Sequence, residues 1–174
     1  MAWRQMLRSL TAGPDTQPVV ASAADDPETA RLAARLKAAA FQRLGHGLSI
    51  RMVDSGSCNG CEQESRMLSS TVHDLEHYGL RFVTSPRHAD ILMVTGPVTR
   101  NMQDALVRTW QATPDPKFVI ALGDCAIDGG VFKGSPAILG GIDSAIPVDL
   151  IIRGCPPTPS AIIAKLCALL EASH

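Results

Sequence analysis

Apolar and polar residues fall in blocks along this chain. Four short runs are mostly apolar: Leu48-Ser49-Ile50-Arg51-Met52-Val53, Ile91-Leu92-Met93-Val94, Phe118-Val119-Ile120-Ala121-Leu122 and Val148-Asp149-Leu150-Ile151-Ile152. Each has the length of a strand, and the first alternates in polarity with period two. A further short strand is expected at residues 80–84. Between the runs the spacing becomes helical. A helix over Glu62 to Tyr78 puts Leu68, Val72 and Leu75 on one face and stops at Gly79. Asn101 caps a helix running to about Ala112, and Pro159 opens a last one ending near Ala172. Continuous apolar strands alternating with helices predict an α/β fold, a parallel sheet covered by helices on both faces. No internal repeat is visible.

Ahead of these blocks, Asp26 as N-cap, Pro27 at the first helical position and Glu28 in the first turn predict another helix. Leu32, Leu36 and Leu44 form its apolar side. Arg35, Lys37 and Arg43 lie toward its C-terminal end, where cations suit the helix dipole, and Gly45 or Gly47 ends it. Residues 11–25, rich in Pro, Ala, Ser and Thr, read as a linker. Trp3, Met6, Leu7 and Leu10, with Arg4 and Arg8 opposite, have the spacing of a short amphipathic helix, which can lie on a membrane or a partner; a frayed terminus is the alternative. Residues 1–47 are therefore expected to form an amphipathic, helical extension and linker, and 48–174 the domain proper.

Composition narrows the class. With 174 residues, 45% of them apolar, and a net charge of -1, the chain suits one globular domain with an appendage and is not disordered. It has no basic block and only 4% aromatics, which argues against nucleic acid as a partner. No apolar run approaches the roughly 18 residues of a membrane span. The N-terminus has no long apolar core before a cleavage site and no twin-arginine pair, which predicts a cytosolic protein with reduced thiols. Five cysteines, an odd number, then point to metal or redox work rather than a disulfide framework.

Four of those cysteines sit just past predicted strand ends: Cys58 and Cys61 after Val53, Cys125 after Leu122, and Cys155 after Ile152. In an open parallel sheet these ends share the ligand-binding edge. Cys167 lies mid-helix beside Ile163, Leu166 and Leu170, a core position. Four thiolates at one edge suit an iron–sulfur cluster or zinc. Structural zinc typically uses two short knuckles, whereas here only Cys58-Asn59-Gly60-Cys61 is a close pair and Cys125 and Cys155 come singly. That 2+1+1 pattern favours a wider [4Fe-4S] cube; zinc and unrelated buried thiols remain alternatives. Gly56, Gly60, Gly123, Gly129, Gly130 and Gly154 would allow close backbone approach to the sulfurs.

Three blocks in order carry a resemblance: Asp54-Ser55-Gly56-Ser57-Cys58-Asn59-Gly60-Cys61-Glu62-Gln63-Glu64, Gly123-Asp124-Cys125 with Gly129-Gly130-Val131-Phe132, and Gly154-Cys155-Pro156-Pro157-Thr158-Pro159. Over about residues 48–172 the chain resembles the family of the complex I 20-kDa subunit and the [NiFe]-hydrogenase small subunit. Within it, the chain looks most like small subunits of membrane-bound, energy-converting group 4 hydrogenases, including the formate hydrogenlyase type. The two residues between Cys58 and Cys61 match the hydrogenase pattern; complex I homologues usually have adjacent cysteines there. Periplasmic hydrogenase small subunits are longer, with extra cysteine motifs and a twin-arginine signal.

The resemblance implies a flavodoxin-like fold and one [4Fe-4S] cluster ligated by Cys58, Cys61, Cys125 and Cys155. It implies an electron-transfer subunit of an oxidoreductase, relaying electrons between a ferredoxin-like iron–sulfur subunit and a large hydrogenase or 49-kDa-like subunit, in a complex with an integral membrane subunit. The chain is then peripheral, on the cytoplasmic side of the inner membrane. The alternatives are the same relay in a nickel-free, complex I-like quinone oxidoreductase, and a zinc-stapled scaffold without redox role.

Other residues carry two readings each. Glu64 is a candidate proton-coupling acid or a helix-capping one, and Glu62 has the same two readings with less support. His73 and His77, at i and i+4, read as a solvated surface pair rather than a metal site. Asp124 and Asp128 read as turn residues. Pro156-Pro157 fixes the chain after Cys155 and can take a cis bond. Gly96-Pro97-Val98-Thr99 leaves the same sheet edge, either to line the site or as a plain turn. No Walker loop or dinucleotide glycine motif is present.

Overall fold

The computed structural model describes residues 27–70 and 73–172. Its elements, in chain order, are α1 (Pro27–Leu44), β1 (Leu48–Asp54), α2 (Gly60–Met67), β2 (Leu80–Phe82), β3 (Ile91–Thr95), β4 (Val98–Thr99), α3 (Gln103–Ala112), β5 (Phe118–Leu122), α4 (Asp124–Asp128), β6 (Ile138–Gly140), β7 (Leu150–Ile152) and α5 (Pro159–Ala172). The amphipathic segment expected at residues 1–10, the linker at 11–25 and the Asp26 cap lie outside the described residues.

Every position of β3 is buried, which requires cover on both faces. Its side chains divide with the strand period. Ile91 and Met93 join Ile50, Ile120 and Leu122 in one cluster, under Leu36, Ile162, Ile163 and Leu166 of the helices. Leu92 and Val94 join Val119 and Ala121 in the other, against Leu106 of α3 and Ala126 of α4. Each fully buried Leu, Ile or Met is worth about 1.5–3 kcal/mol, so the two clusters supply the main driving force for this layered arrangement.

Five strands form one parallel sheet in the order β2-β1-β3-β5-β7. Counting only these strands along the chain, the order is 2-1-3-4-5, the flavodoxin-like arrangement expected. The order reverses between β1 and β3, so their C-terminal ends open a crevice there. A small antiparallel pair, β4 with β6, stands apart from this sheet.

Helix α1 packs on α5. Ala33, Leu36 and Ala40 are its buried stripe, and the Arg35 guanidinium donates three hydrogen bonds to Glu171 at 2.8, 2.9 and 3.1 Å. Gly45, at φ +75°, ends the helix, with its N–H donating to the Phe41 carbonyl.

Four local expectations change. The helix expected over 62–78 ends at Met67. The Ser70 hydroxyl donates to the Met67 carbonyl at 2.6 Å, competing for the acceptor that a continuing helix would use. Val72, placed on that helix's apolar face, is outside the described residues, while Leu68 and Leu75 are buried and joined by a Leu75 N–H to Leu68 carbonyl bond. Helix α3 starts with Met102 in the cap position rather than Asn101, because the turn after β4 continues through Met102, whose N–H donates to Thr99. The glycine-rich sequence after β5 predicts one long loop, and the structure instead has α4, two 3-10 turns and β6 there. The period-two polarity of β1 is not matched by alternating burial: Leu48, Ser49 and Ile50 are all buried, because β1 is interior.

Candidate metal centre at the carboxyl edge of the sheet

Strand β1 ends in a carboxylate that shapes the next loop. Asp54 Oδ1 accepts the N–H groups of Gly56 (2.8 Å) and Ser57 (2.7 Å), turning the chain back toward the sheet edge. Ser55, fully buried, donates its hydroxyl toward the carbonyls of Thr95 (2.8 Å) and Gly96 (3.0 Å). Thr99 N–H and Oγ1 both donate to the Ser55 carbonyl at 3.0 Å. The loops after β1 and β3 are thus sewn together at the crevice. Asn59, at φ +70°, then opens α2, which carries Cys61 in its first turn.

The loops after β5 and β7 are joined in the same way. Asp124 N–H donates to the Gly154 carbonyl (2.9 Å), and Gly154 N–H donates to Asp124 Oδ1 (3.2 Å). Asp124, expected only as a turn residue, therefore holds Cys125 and Cys155 in register with each other. Asp128 behaves as expected of a turn residue, accepting the Gly130 N–H at 3.0 Å.

These connections bring Cys58, Cys61, Cys125 and Cys155 to one cavity of about 60 Å³, lined also by Gly60, Gly96 and Gly154. Cys58 and Cys155 are exposed, Cys61 is half-buried and Cys125 is buried. The backbone closes tightly on the sulfurs. A Cβ on Gly123 would stand 2.5 Å from Cys61 Sγ, and one on Gly130 would stand 2.8 Å from Cys125 Sγ. Gly96 lines the cavity as its loop was expected to, and Pro97 connects it to β4. The Cys155–Pro156 peptide is cis. A larger cavity of about 400 Å³, between α2 and β2, contains no cysteine, so size alone does not locate the candidate chemistry.

Burial pushes the Cys61 thiol up to about 12, and Glu62 and the three other thiols add to the effect. Cys125 is also raised, first by burial, while the Val131 backbone N–H at its sulfur works the other way. At Cys61 and Cys125 a bound cation would reverse this effect, because it stabilises the thiolates that burial and mutual repulsion disfavour. All four are soft sulfur donors, which fits an iron–sulfur or zinc group. Among the described residues no three Cys, His, Asp or Glu side chains converge closely enough to hold a single ion; the thiols ring a space instead.

Cys167 is elsewhere, buried in the α5 core face, with its thiol donating to the Leu32 carbonyl at 3.3 Å. Glu64 is half-buried on α2. Glu62 turns inward, 5% exposed, and accepts the Ser57 hydroxyl at 2.6 Å and the Thr95 hydroxyl on the same oxygen. His73 and His77 do not share a helix, since α2 has already ended; His77 is exposed, whereas His73 is half-buried with Nδ1 buried and unpartnered. Sequence reasoning missed Ser55, Ser57 and Thr95. Ser55 and Ser57 fall in the first resemblance block and Thr95 at a strand end, but hydroxyl residues there also suit an ordinary turn.

The fold and the thiol ring define a flavodoxin-like α/β protein with a soft-donor centre at its switch-point edge. The sequence profile described as "NADH ubiquinone oxidoreductase, 20 Kd subunit" matches residues 58–169, a span that takes in the four cysteines at the cavity and Cys167. The chain belongs to this family, the one shared by complex I 20-kDa subunits and [NiFe]-hydrogenase small subunits. It is 45% identical over 141 residues to formate hydrogenlyase subunit 7 of Escherichia coli, covering 79% of this chain and 55% of that protein. It is 44% identical over 128 residues to the probable membrane-bound hydrogenase subunit mbhJ of Pyrococcus furiosus, covering 74% and 77%. The chain thus spans just over half the length of the first relative and about three-quarters of the second. A solved structure of a membrane-bound sulfane sulfur reductase, an archaeal respiratory membrane complex, contains a chain that superposes with a TM-score of 0.64 at 33% identity, covering 80% of this chain and 77% of that one. The expected likeness to group 4 hydrogenase small subunits stands on these matches.

Proposed function

We propose that this chain is the electron-relay subunit of a membrane-bound, energy-converting [NiFe] hydrogenase, holding one [4Fe-4S] cluster through Cys58, Cys61, Cys125 and Cys155. The observation that carries the reading is the meeting of these four thiols, from three loops, at one cavity. Their 2+1+1 spacing, one close pair and two single cysteines from separate loops, favours a multi-iron group over zinc. The group supplies one-electron transfer when bound. The chain's own contribution is to hold the sulfurs, to shield two of them from water, and to present the other two at the surface.

The exposure of Cys58 and Cys155 supports a centre within reach of a neighbour. Val131, 81% exposed, and Phe132 lie on the turn whose Gly130 packs against the Cys125 sulfur. We assign that side to the large subunit and the electron supply to a ferredoxin-like iron–sulfur subunit. No helix among the described residues is long and apolar enough to cross a membrane; attachment to an integral membrane subunit, on the cytoplasmic side, would be peripheral. Residues 1–47 then serve as an extension on the domain at 48–174, with α1 as its packed part.

The names of the relatives and the two-residue gap between Cys58 and Cys61 favour the hydrogenase branch over a nickel-free quinone oxidoreductase. Metal analysis of the anaerobically purified complex tests the reading. Iron with nickel, and hydrogen turnover, are expected. Iron without nickel moves the relay to a nickel-free complex, and one zinc per chain without attributable iron overturns the redox reading.

A further inference from the structure

Among the described residues, Glu62 is the only charged side chain that is buried. An acid in the first turn of a helix is stabilised by the helix dipole, but an exposed one achieves that without desolvation. Glu62 instead turns into the protein. Its Oε1 accepts the hydroxyls of Ser57, at 2.6 Å, and Thr95. Ser57 precedes Cys58 and its hydroxyl also accepts the Asn59 N–H at 3.1 Å. Thr95 closes β3, and its hydroxyl also lies 3.2 Å from the Val53 carbonyl. One carboxylate oxygen thus joins three separate pieces: the loop bearing Cys58, the helical turn bearing Cys61, and the end of the central strand. The other oxygen, Oε2, is buried with no partner.

We propose that Glu62 is a positioning residue, tethering Ser57 to Thr95 so that Cys58 and Cys61 keep a fixed separation at the centre. This inference rests on the cluster reading above. Ligand-orienting groups of this kind typically alter metal retention about 10–100-fold when removed. The tether acts through shared partners, so its members should be coupled rather than additive.

The test uses the anaerobic complex carrying Glu62→Ala, Glu62→Gln, Thr95→Val or the Glu62→Ala/Thr95→Val pair. Two readouts are followed: the low-temperature electron paramagnetic resonance of the reduced centre, and the rate of iron loss to a ferrous chelator. Glu62→Ala should release iron about 10-fold faster or more and shift the resonance. Glu62→Gln, which keeps an oxygen acceptor, should restore both toward wild type. The double variant should be no worse than Glu62→Ala. If Glu62→Ala does not assemble, Thr95→Val carries the test, with a smaller change in the same direction. Unchanged resonance and iron release in Glu62→Ala, or in Thr95→Val where only that assembles, or full additivity in the double variant, overturns the proposal. A wild-type complex without cluster iron overturns the cluster reading itself and the tether with it.

Discussion

The Cys61 sulfur occupies space that exists because residue 123 has no side chain. A Cβ there would lie 2.5 Å from Sγ, although β3 separates the strands that precede the two residues. Gly123 also takes φ +88° and ψ +157°, a conformation nearly closed to other residues. Gly123→Ala therefore meets both a clash and about 1–3 kcal/mol of backbone strain. It should lower the melting temperature and reduce iron per chain in the purified complex. A variant with the full iron complement would show that the sulfur can move without loss.

Ser55 links the two loops at the switch point from a fully buried position. Ser55→Ala removes the hydroxyl bond to the Thr95 and Gly96 carbonyls and should cost about 1–2 kcal/mol. Urea titration should show a lower midpoint with an unchanged slope. No change in midpoint would mean that the bonds from Ser55 N–H to Thr95 and from Thr99 to the Ser55 carbonyl suffice to join these loops.

Cys167 and Cys125 are both buried thiols, yet their substitutions should separate. Cys167→Ala leaves a small cavity between α1 and α5 and loses the bond to Leu32, a cost of about 1–2 kcal/mol. Iron content per chain should stay at the wild-type value. Cys125→Ala should remove the normal centre. Iron analysis and melting of the two variants in parallel distinguish stability from ligation; loss of iron in Cys167→Ala contradicts the ligand set.

The raised Cys61 thiol makes the metal-free chain sensitive to alkali. Its ordinary value is 9.0 and burial moves it to about 12. Between those values the unfolded chain has released the proton and the folded chain has not, so the unfolded state binds fewer protons and stability falls as pH rises. Below about pH 9 both states are protonated and the contribution vanishes. Melting of the metal-free chain should decline through this window, and less steeply in Cys61→Ser, whose hydroxyl does not titrate there. Binding of a soft divalent probe such as Cd²⁺ should strengthen with rising pH, because the thiols must release protons to ligate.

Much of this protein was determined by local chemistry. The strand at Ile91 to Val94 and that at Phe118 to Leu122 were legible because they are apolar enough to be covered on both faces. The last helix was legible because Pro159 suits a first helical position and no strong breaker follows before Ala172. That Cys58, Cys61, Cys125 and Cys155 meet at one cavity was legible because thiols just past parallel strand ends have one shared edge to occupy. Helix α2 was misjudged in length, since apolar spacing at Leu68 and Leu75 persists while the Ser70 hydroxyl takes the acceptor that the helix needs. The roles of Asp124, Ser55 and Glu62 were beyond the sequence. Each depends on a partner 30 or more positions away, brought near only when β1, β3, β5 and β7 pair in their register. Hydrophobic periodicity encodes which faces are buried, because burial depends on each residue's own surface. It does not encode which carbonyl or hydroxyl waits on the other side, because a hydrogen bond needs two groups within about 3 Å, and strand pairing is what sets that distance.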